Sequence, residues 1–323
     1  MYDIVGIDEP NVDLNLNVGV FPRPNASTEI ENLSWQGGGK VATGLVAAAR
    51  LGADCAVVGT VGDDRYGGFC KADFERHGID TGALLMRKNR ETSLSVVLSD
   101  RETNGRCFVW RQGNSASLTD DELRTNTAVA QRLENTRVLY ICHTGSVHME
   151  AGRMARQKGA KVLIDADRYE PTLVQALGSI DIFIGSEFVY QAMFSTGTFI
   201  ENCASVRVKG PSVVVFTLGP QGCVGMDDNG YFELPTFDVP VADTVGAGDV
   251  FHGAFIAEYL CGATAREAAR FANAVSSIKC TRIGGRAGIP SRKTVDRFLK
   301  SGTIDYDEID RRVEFYKRGI EHV

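Results

Sequence analysis

An aspartate follows a Gly-Ala-Gly turn in residues 242–249 (ADTVGAGD), and the apolar spacing after it predicts that a helix begins here. The first amides of a helix have no acceptor within the helix, and the helix dipole makes this end positive. Gly246, Ala247 and Gly248 would therefore form an anion hole for a phosphate. Asp249 would accept the proton of a substrate hydroxyl during phosphoryl transfer. The alternative is an aspartate that only caps the helix.

A second glycine cluster, residues 36–40 (QGGGK), precedes an alanine-rich segment that predicts another helix. The bare backbone at Gly38 and Gly39 can wrap around sugar hydroxyls, and Lys40 can reach an anionic group. The cluster also matches the dinucleotide-binding pattern G-x-G-x-x-A. The residues before it, ENLSWQ, do not read as the apolar strand which that pattern requires. The match keeps an oxidoreductase that uses NAD(P) as an alternative to a kinase, although the missing strand argues against it.

Polar residues and glycine-rich loops follow several predicted strands, where open α/β sheets bind ligands. Asn11 and Asp13 come after the first strand, and Asp13 either accepts hydrogen bonds from a polyol or serves in a turn. His143 and His148 follow the strand VLYIC and either line the substrate cleft or have structural roles.

Two glycine-rich loops could also bind ligands. The loop 217–222 (TLGPQG) suits a nucleotide, and the loop 281–290 (TRIGGRAGIP) can turn carbonyls toward a monovalent cation. Both loops also fit ordinary connections.

Six short apolar runs predict strands that are buried on both faces, which is typical of a parallel sheet. Helix-like segments alternate with them, and capping boxes at residues 119–122 (TDDE) and 264–267 (TARE) mark helix starts. The second of these helices is expected to extend to about Lys279. The alternation predicts a doubly wound α/β layer fold with a mostly parallel central sheet. The runs are residues 4–7, 56–58, 138–141, 162–164, 182–184 and 213–216.

Two stretches instead alternate apolar and polar residues, which indicates strands with one solvent-facing side. They are residues 14–20, and residues 93–98 followed by 106–110. They predict a small β-appendage that covers one edge of the main domain, in which Phe108 and Trp110 are expected to be packing or interface residues. We assign residues 13–37 and 92–114 to this appendage. Residues 1–12, 38–91 and 115–323 are assigned to an α/β domain that binds nucleotide and substrate.

The composition excludes several classes of protein. Hydrophobic residues make up 43% and charged residues 24%, as in a globular protein with a sizeable core. The net charge of −6 argues against nucleic acid or an anionic membrane as a partner. The sequence contains no transmembrane-length apolar stretch, and its start does not resemble a signal peptide. Eight scattered cysteines without a CxxC pair or zinc spacing indicate reduced core thiols and a cytoplasmic protein.

With these residues together, the chain resembles the PfkB (ribokinase-like) family of carbohydrate kinases over almost its whole length. The resemblance rests on residues 37–67 (GGGKVATGLVAAARLGADCAVVGTVGDDRYG) and 243–254 (DTVGAGDVFHGA). It implies a Rossmann-like sheet with a β-sheet lid, and ATP-dependent phosphorylation of a hydroxyl of a sugar or sugar derivative. Residues 246–290 are especially similar to the sulfofructose kinase branch of the family.

The resemblance also implies roles for individual residues, with ATP, Mg²⁺ and K⁺ as the cofactors. Asp249 would be the catalytic base beside the anion hole. The predicted substrate-binding residues are Asn11, Asp13, Gly38, Gly39, Lys40, Thr43 and His143. The predicted nucleotide-binding residues are Ser186, Glu187, Thr217, Gly219, Gly222 and Asn273. The predicted potassium ligands are Asp243, Val245, Cys280, Ile283 and Gly285.

Two positions depart from the family pattern. Thr43 stands where many members have Asn, which changes one hydrogen bond to the sugar. The NxxE motif, which the family uses for magnesium and phosphate, reads SEFV at residues 186–189. Glu187 or water molecules would therefore have to hold magnesium.

The acceptor stays open between several classes. A sulfonated sugar is one candidate, for which Lys40 and Arg111 would supply positive charge, although the sulfofructose kinase branch has Arg at the position of His143. A nucleoside or vitamin kinase of the same superfamily is an alternative, as is a sugar-binding regulator without activity. The exposed edges of the lid strands predict a homodimer formed through the lid.

Overall fold

The computed structural model describes residues 1–103 and 105–320, which contain thirteen strands and twelve helices. Residue 104 of the predicted lid and residues 321–323 of the predicted α/β domain lie outside the described residues. The strands are β1 (Tyr2–Asp8), β2 (Val12–Val18), β3 (Ile30–Gly37), β4 (Cys55–Gly62), β5 (Asp80–Arg87), β6 (Leu94–Asp100), β7 (Arg106–Arg111), β8 (Thr136–Ile141), β9 (Lys161–Ala166), β10 (Ile182–Ser186), β11 (Val213–Thr217), β12 (Cys223–Asp227) and β13 (Gly230–Leu234). The helices are α1 (Lys40–Arg50), α2 (Arg65–Arg76), α3 (Asp120–Thr125), α4 (Thr127–Leu133), α5 (Ser146–Gln157), α6 (Pro171–Ala176), α7 (Glu187–Met193), α8 (Phe199–Arg207), α9 (Ala247–Leu260), α10 (Ala265–Lys279), α11 (Arg292–Ser301) and α12 (Tyr306–Lys317).

Nine strands form one sheet in the order β13-β12-β11-β10-β9-β8-β1-β4-β5. Neighbouring strands from β11 to β5 are parallel, and β12 and β13 add antiparallel strands at one edge. All six predicted apolar runs lie in the parallel part, because strands covered by helices on both faces need apolar side chains on both faces. The predicted α/β fold with a mostly parallel central sheet is confirmed.

Two layers of helices cover this sheet. Helices α1, α2 and α9 to α12 pack on one face, and α3 to α8 pack on the other. Both predicted capping boxes are present: Thr119 with Glu122 begins α3, and Thr264 with Glu267 begins α10, which ends at Lys279 as expected. Within the described ranges, none of the helices combines the length and the apolar character needed to span a bilayer.

The remaining strands form a separate four-stranded sheet in the order β3-β2-β6-β7, called the lid below. The predicted alternating stretches correspond to β2, β6 and β7, although β2 covers residues 12–18 rather than 14–20. The segment ENLSWQ, which was not predicted as a strand, lies in β3 and pairs antiparallel with β2. The glycine cluster thus follows a lid strand rather than a parallel strand of the central sheet, which disfavours a dinucleotide-binding turn.

Helices α1 and α9 cross with their backbones in contact at Gly44 and Gly253. A Cβ atom on Gly253 would lie 1.9 Å from the carbonyl oxygen of Gly44, so only glycine fits at this position. A Cβ atom on Gly44 would lie 3.0 Å from the carbonyl oxygen of Asp249, in the first turn of α9. The crossing therefore brings the two glycine motifs together, since each motif immediately precedes one of these helices.

Candidate active site

Side chains that could do chemistry converge at the carboxyl ends of the central strands, beneath the lid. A cavity of about 430 Å³ is lined by Lys40, His143, Asp167 and Arg168 from the α/β layers and by Trp110 from the lid, among others. A second cavity of about 430 Å³ is lined by Asp8, His143 and His148. His143, predicted to line the substrate cleft, borders both cavities. Trp110, expected to be a packing or interface residue, instead lines the first cavity.

The start of α9 carries the predicted anion hole. Gly246 precedes the helix in a left-handed conformation (φ 71°), and Asp249 lies in the first turn. Within the described part of the chain, the N–H groups of Gly246 and Gly248 have no acceptor. The N–H of Ala247 donates to the carbonyl of Thr244 at 3.2 Å, so the expectation of three free amides is corrected at this residue. The turn itself uses that amide.

Several charges act on the Asp249 carboxyl. Burial raises its pKa well above the usual range, and the nearby carboxylates of Asp165, Asp167 and Asp8 raise it further, whereas Lys40 opposes the shift. A general base works best when its pKa lies near the working pH. The environment thus moves Asp249 in the direction that suits a proton acceptor.

A buried polar layer supports the first turns of α9. His252 is 4% exposed, as expected for a packed helix residue, and its Nδ1 lies 2.6 Å from the carbonyl oxygen of Gly248. Its Nε2 lies 3.4 Å from Oδ1 of Asp165, and the Tyr140 hydroxyl donates to Oδ2 of Asp165 at 3.3 Å. These contacts fix the helix relative to β8 and β9.

Three of the predicted sugar-binding residues form one cluster at the base of the lid. The Asn11 side-chain amide donates to Oδ1 of Asp13 at 2.6 Å, and the Gly38 N–H donates to the Asn11 carbonyl at 2.7 Å. A Cβ atom on Gly38 would lie 2.5 Å from Oδ1 of Asp13, so a larger residue here would displace this carboxylate. Burial raises the pKa of Asp13 to about 6, although the hydrogen bond from Asn11 lowers it.

We expect acceptor binding to weaken below pH 6. If the ionised Asp13 accepts hydrogen bonds from the acceptor, protonation near its pKa of about 6 removes that acceptor atom. KM for the acceptor should then rise by up to about tenfold for each pH unit below 6, whereas KM for ATP should change less. Steady-state kinetics from pH 5 to 8 would check this, and an unchanged acceptor KM would contradict it. Asp13→Asn should have a raised KM without this pH dependence.

Lys40 and two aspartates surround the start of α1. The Lys40 ammonium forms an ion pair with Asp167, and Oδ2 of Asp8 accepts a hydrogen bond from the Ala42 N–H at 2.7 Å. Asp8 and Asp167 were not predicted, although each is an acidic residue at the carboxyl end of a predicted strand, which is a recognisable signal. The Lys40 ammonium is paired with the Asp167 carboxylate, so it is not free to bind an anionic sugar.

The predicted nucleotide-binding residues fall into two groups. Ser186 and Thr217 end the neighbouring strands β10 and β11 and are paired in register, and Glu187 begins α7. Gly219 and Gly222 bound the turn after β11, and both have positive φ. These five residues lie along the carboxyl edge of the sheet.

Asn273 is placed differently from these five. It is 6% exposed, and its side-chain amide donates to the Pro235 carbonyl at 3.2 Å and to the Cys223 thiol at 3.5 Å. This side chain therefore joins α10 to the antiparallel strands. Its amide hydrogens are already used within the chain.

The segment from Gly284 to Ala287 holds a buried arginine that the sequence did not suggest as a site residue. Arg286 is fully buried, and its guanidinium bonds to Asp73 at 2.6 Å and to the Gly38 carbonyl at 2.8 Å. Its Nε donates to the Thr43 hydroxyl at 3.4 Å, so Thr43, predicted to bind substrate, is buried against Arg286. One side chain thus connects the loop 281–290 with the glycine cluster and α2.

The predicted potassium ligands lie together beside the start of α9. The Asp243 carboxylate accepts hydrogen bonds from the N–H groups of Val245 at 2.9 Å and Gly284 at 2.8 Å. Gly285 lies next to Gly246, since a Cβ atom on Gly246 would be 2.9 Å from the Gly285 Cα. Among the described residues, no group of three or more His, Cys, Asp and Glu side chains is arranged to hold a metal ion.

Comparison with known proteins identifies the family of this chain. The model of the pfkB family of carbohydrate kinases matches residues 1–292. Ribokinase from Haemophilus influenzae is 28% identical over 298 residues, which cover 90% of this chain and 96% of the relative. A nucleoside kinase from Methanothermobacter thermautotrophicus is 27% identical over 305 residues, with 92% and 95% covered. Ribokinase from Arabidopsis thaliana, solved with ribose and ATP, superposes with a TM-score of 0.77 at 22% identity and covers 93% of this chain and 99% of that one. The chain belongs to the pfkB family of carbohydrate kinases.

Proposed function

We propose that the protein transfers the γ-phosphoryl group of ATP to a hydroxyl group of a sugar or sugar derivative. The observation that carries the proposal is the pairing of α1 and α9 at Gly44 and Gly253. The cluster of Asn11, Asp13 and Gly38 adjoins the start of α1, and Asp249 lies in the first turn of α9, so this crossing supports a common site for the cluster and the carboxylate. A polyol bound at the first site would present a hydroxyl to the carboxylate at the second.

The residues of the chain would divide the work between them. Asn11 and Asp13 would orient the acceptor by hydrogen bonds, and Asp249 would take the proton from its hydroxyl. The free N–H groups of Gly246 and Gly248 would stabilise negative charge on the transferred group, together with the dipole of α9.

Magnesium fits this edge of the sheet as a companion of ATP. Mg²⁺ keeps several waters and needs only one or two protein carboxylates. Glu187 would hold it, since one of its carboxylate oxygens accepts from Gln191 at 3.0 Å and the other has no donor within the described ranges. When bound, the ion would neutralise charge on the phosphate oxygens.

Two lining residues of the 430 Å³ cavity bear on the acceptor. Arg168 has no ion-pair partner among the described residues, and it would favour an acceptor that carries a phosphate or sulfonate group. Arg111, by contrast, pairs with Glu91 at the outer face of the lid, so it would not serve this purpose. Trp110 offers a flat aromatic surface, which supports a nucleoside as the second candidate acceptor.

An acceptor panel tests the proposal. Furanoses, hexose phosphates, sulfosugars, nucleosides and vitamin alcohols would be incubated with ATP and Mg²⁺, and ADP formation would be measured. We expect the highest kcat/KM with a sugar or sugar derivative. A higher value with a nucleoside would transfer the assignment to the second candidate, and the absence of ADP with every acceptor would refute a kinase.

We further propose a homodimer formed through the outer face of the lid. Leu33, Cys107 and Val109 are exposed on this face, with Val109 68% exposed. They share the face because Leu33 pairs with Leu16, Leu98 pairs with both Leu16 and Cys107, and Val96 pairs with Val109. A contiguous apolar face on a sheet is typical of an interface. We expect sedimentation equilibrium to give twice the chain mass of 35.0 kDa, and Val109→Asp to give a monomer.

We propose a cytoplasmic location because the cysteines are free thiols and most of them are buried. All eight are free thiols, and six of them are buried. Burial raises the pKa of all six buried thiols, and it raises the pKa of Cys203 to about 12. Protonated thiols inside a core are typical of proteins that fold in a reducing compartment.

A further inference from the structure

The side chain of Lys279 contacts two of the predicted potassium ligands. Lys279 is the last residue of α10 and is 0% exposed. Its ammonium donates to the carbonyl oxygen of Asp243 at 3.1 Å and to that of Val245. Both carbonyls belong to the loop that leads into α9. The C-terminal end of a helix also favours a positive charge, because the helix dipole is negative there.

The other predicted potassium ligands already have donors within the chain. The Cys280 carbonyl accepts from the N–H groups of Ala242 at 2.8 Å and Asp243 at 3.1 Å. The Ile283 carbonyl accepts from the side-chain amide of Gln36 at 3.1 Å. Among the five predicted ligands, only the Gly285 carbonyl has no donor in the described part of the chain. A set of oxygens that is satisfied in this way does not need an added ion.

The charge of Lys279 also argues against a bound potassium ion. The buried Lys279 ammonium already supplies one positive charge in the region of the buried Asp243 carboxylate. A potassium ion bound to the same carbonyls would lie within a few ångströms of the ammonium, where like charges repel strongly because the interior screens them weakly. The residues present therefore do not fit K⁺ beside Lys279.

We propose that the ammonium of Lys279 takes the place of a monovalent cation, so that the activity of this protein does not depend on potassium. Lys279 would act as a positioning residue: it holds the carbonyls of Asp243 and Val245, and it adds positive charge beside the anion hole at Gly246. The proposal deepens the proposed kinase function and rests on it for its kinetic test, but it also predicts ion effects on stability that need no turnover.

The kinetic test begins with the wild-type protein. ADP formation would be measured in KCl and in tetramethylammonium chloride at equal ionic strength. We expect rates that agree within about twofold, because no carbonyl cage is left for the ion to complete. Activation by potassium beyond that range would overturn the proposal.

Replacing Lys279 should make the activity depend on potassium. In tetramethylammonium chloride, Lys279→Ala should lose about 10²-fold in kcat, the loss typical of removing one electrostatic group at an anion hole. Potassium or ammonium ions should restore at least part of this loss. Lys279→Met, which fills the space without charge, should lose activity and recover less. Lys300→Ala is the matched control, since Lys300 lies in the last turn of α11 and is exposed.

Thermal unfolding separates this proposal from the kinase assignment. We expect Tm of Lys279→Ala to be higher in KCl than in tetramethylammonium chloride, and Tm of the wild type to be equal in the two salts. If the wild type made no ADP with any acceptor, the kinase assignment would fail while these Tm values still decided the role of Lys279. The proposal would be overturned if potassium raised the Tm of the wild type as much as that of Lys279→Ala. It would also be overturned if potassium did not raise the Tm of Lys279→Ala.

Discussion

Asp249→Asn should lose nearly all phosphoryl transfer while it retains ATP binding. Asparagine has the shape of aspartate, but its amide cannot take the proton of a hydroxyl group. Because a positioned base contributes about 10² to 10⁴ in rate, we expect kcat to fall by about 10³-fold or more. ADP formation would measure the rate, and isothermal titration calorimetry would measure the affinity for ATP.

The control for this variant is Asp307→Asn. Asp307 also lies in the first turn of a helix, α12, but it is exposed and remote from the cavities. It should keep wild-type kcat. A kcat of Asp249→Asn within tenfold of the wild type would show that another group removes the proton, and Asp165, Asp167 and Asp8 would then be examined in turn.

Asp73→Asn should cause the largest loss of stability. Asp73 and Arg286 are both buried, 2.6 Å apart, and the Tyr316 hydroxyl donates to the second carboxylate oxygen of Asp73 at 2.7 Å. Removing one partner of a buried ion pair leaves the other charge unpaired, which costs roughly 3 to 5 kcal/mol. We expect a decrease of Tm on the order of 10 °C, measured by calorimetry.

The pH dependence gives this prediction a second readout. Burial acts to raise the pKa of Asp73, but Arg286, His77 and the hydrogen bond from Tyr316 outweigh it and lower the pKa. The pair therefore contributes its full stability above the pKa of an unfolded aspartate, about 3.9, and loses it as the pH falls through the lower folded value. The stability difference between wild type and Asp73→Asn should shrink in acid.

Glu75→Gln serves as the control on the same helix. Glu75 pairs with Lys71 at the surface of α2, at 3.8 Å, and exposed pairs contribute about 0 to 1 kcal/mol. This variant should unfold close to the wild-type temperature. An Asp73→Asn variant as stable as Glu75→Gln would mean that Arg286 finds another partner in the core.

Local patterns predicted the elements that carry the chemistry. The six central strands were recognisable because burial on both faces requires runs such as VVVF in β11. Both predicted capping boxes and both glycine motifs are also short-range signals, so the starts of α1, α3, α9 and α10 could be placed. Edge strands gave weaker signals: β5 is half-exposed, and β3 reads as polar because it belongs to the lid.

Residues that act through contacts distant in sequence were not predictable. Arg286 contacts Asp73, which is 213 positions away, and Lys279 reaches the carbonyls of Asp243 and Val245 over more than 30 positions. A buried lysine or arginine looks like a surface residue in the sequence, since nothing local indicates its partner. Asn273 was predicted to bind nucleotide because its spacing matches the family, and its contact with the Pro235 carbonyl, 38 positions away, was not predictable either.

The contact between Gly44 and Gly253 limits how the enzyme could be redesigned. Main-chain atoms have no rotamers, so the distance between the two motif-bearing helices cannot be tuned by exchanging side chains at their crossing. An engineered or evolved variant that accepts a larger alcohol must gain its room elsewhere. The adjustable positions are side chains that line the cavity, such as Trp110, His143 and Arg168, where a library of substitutions can reshape the pocket.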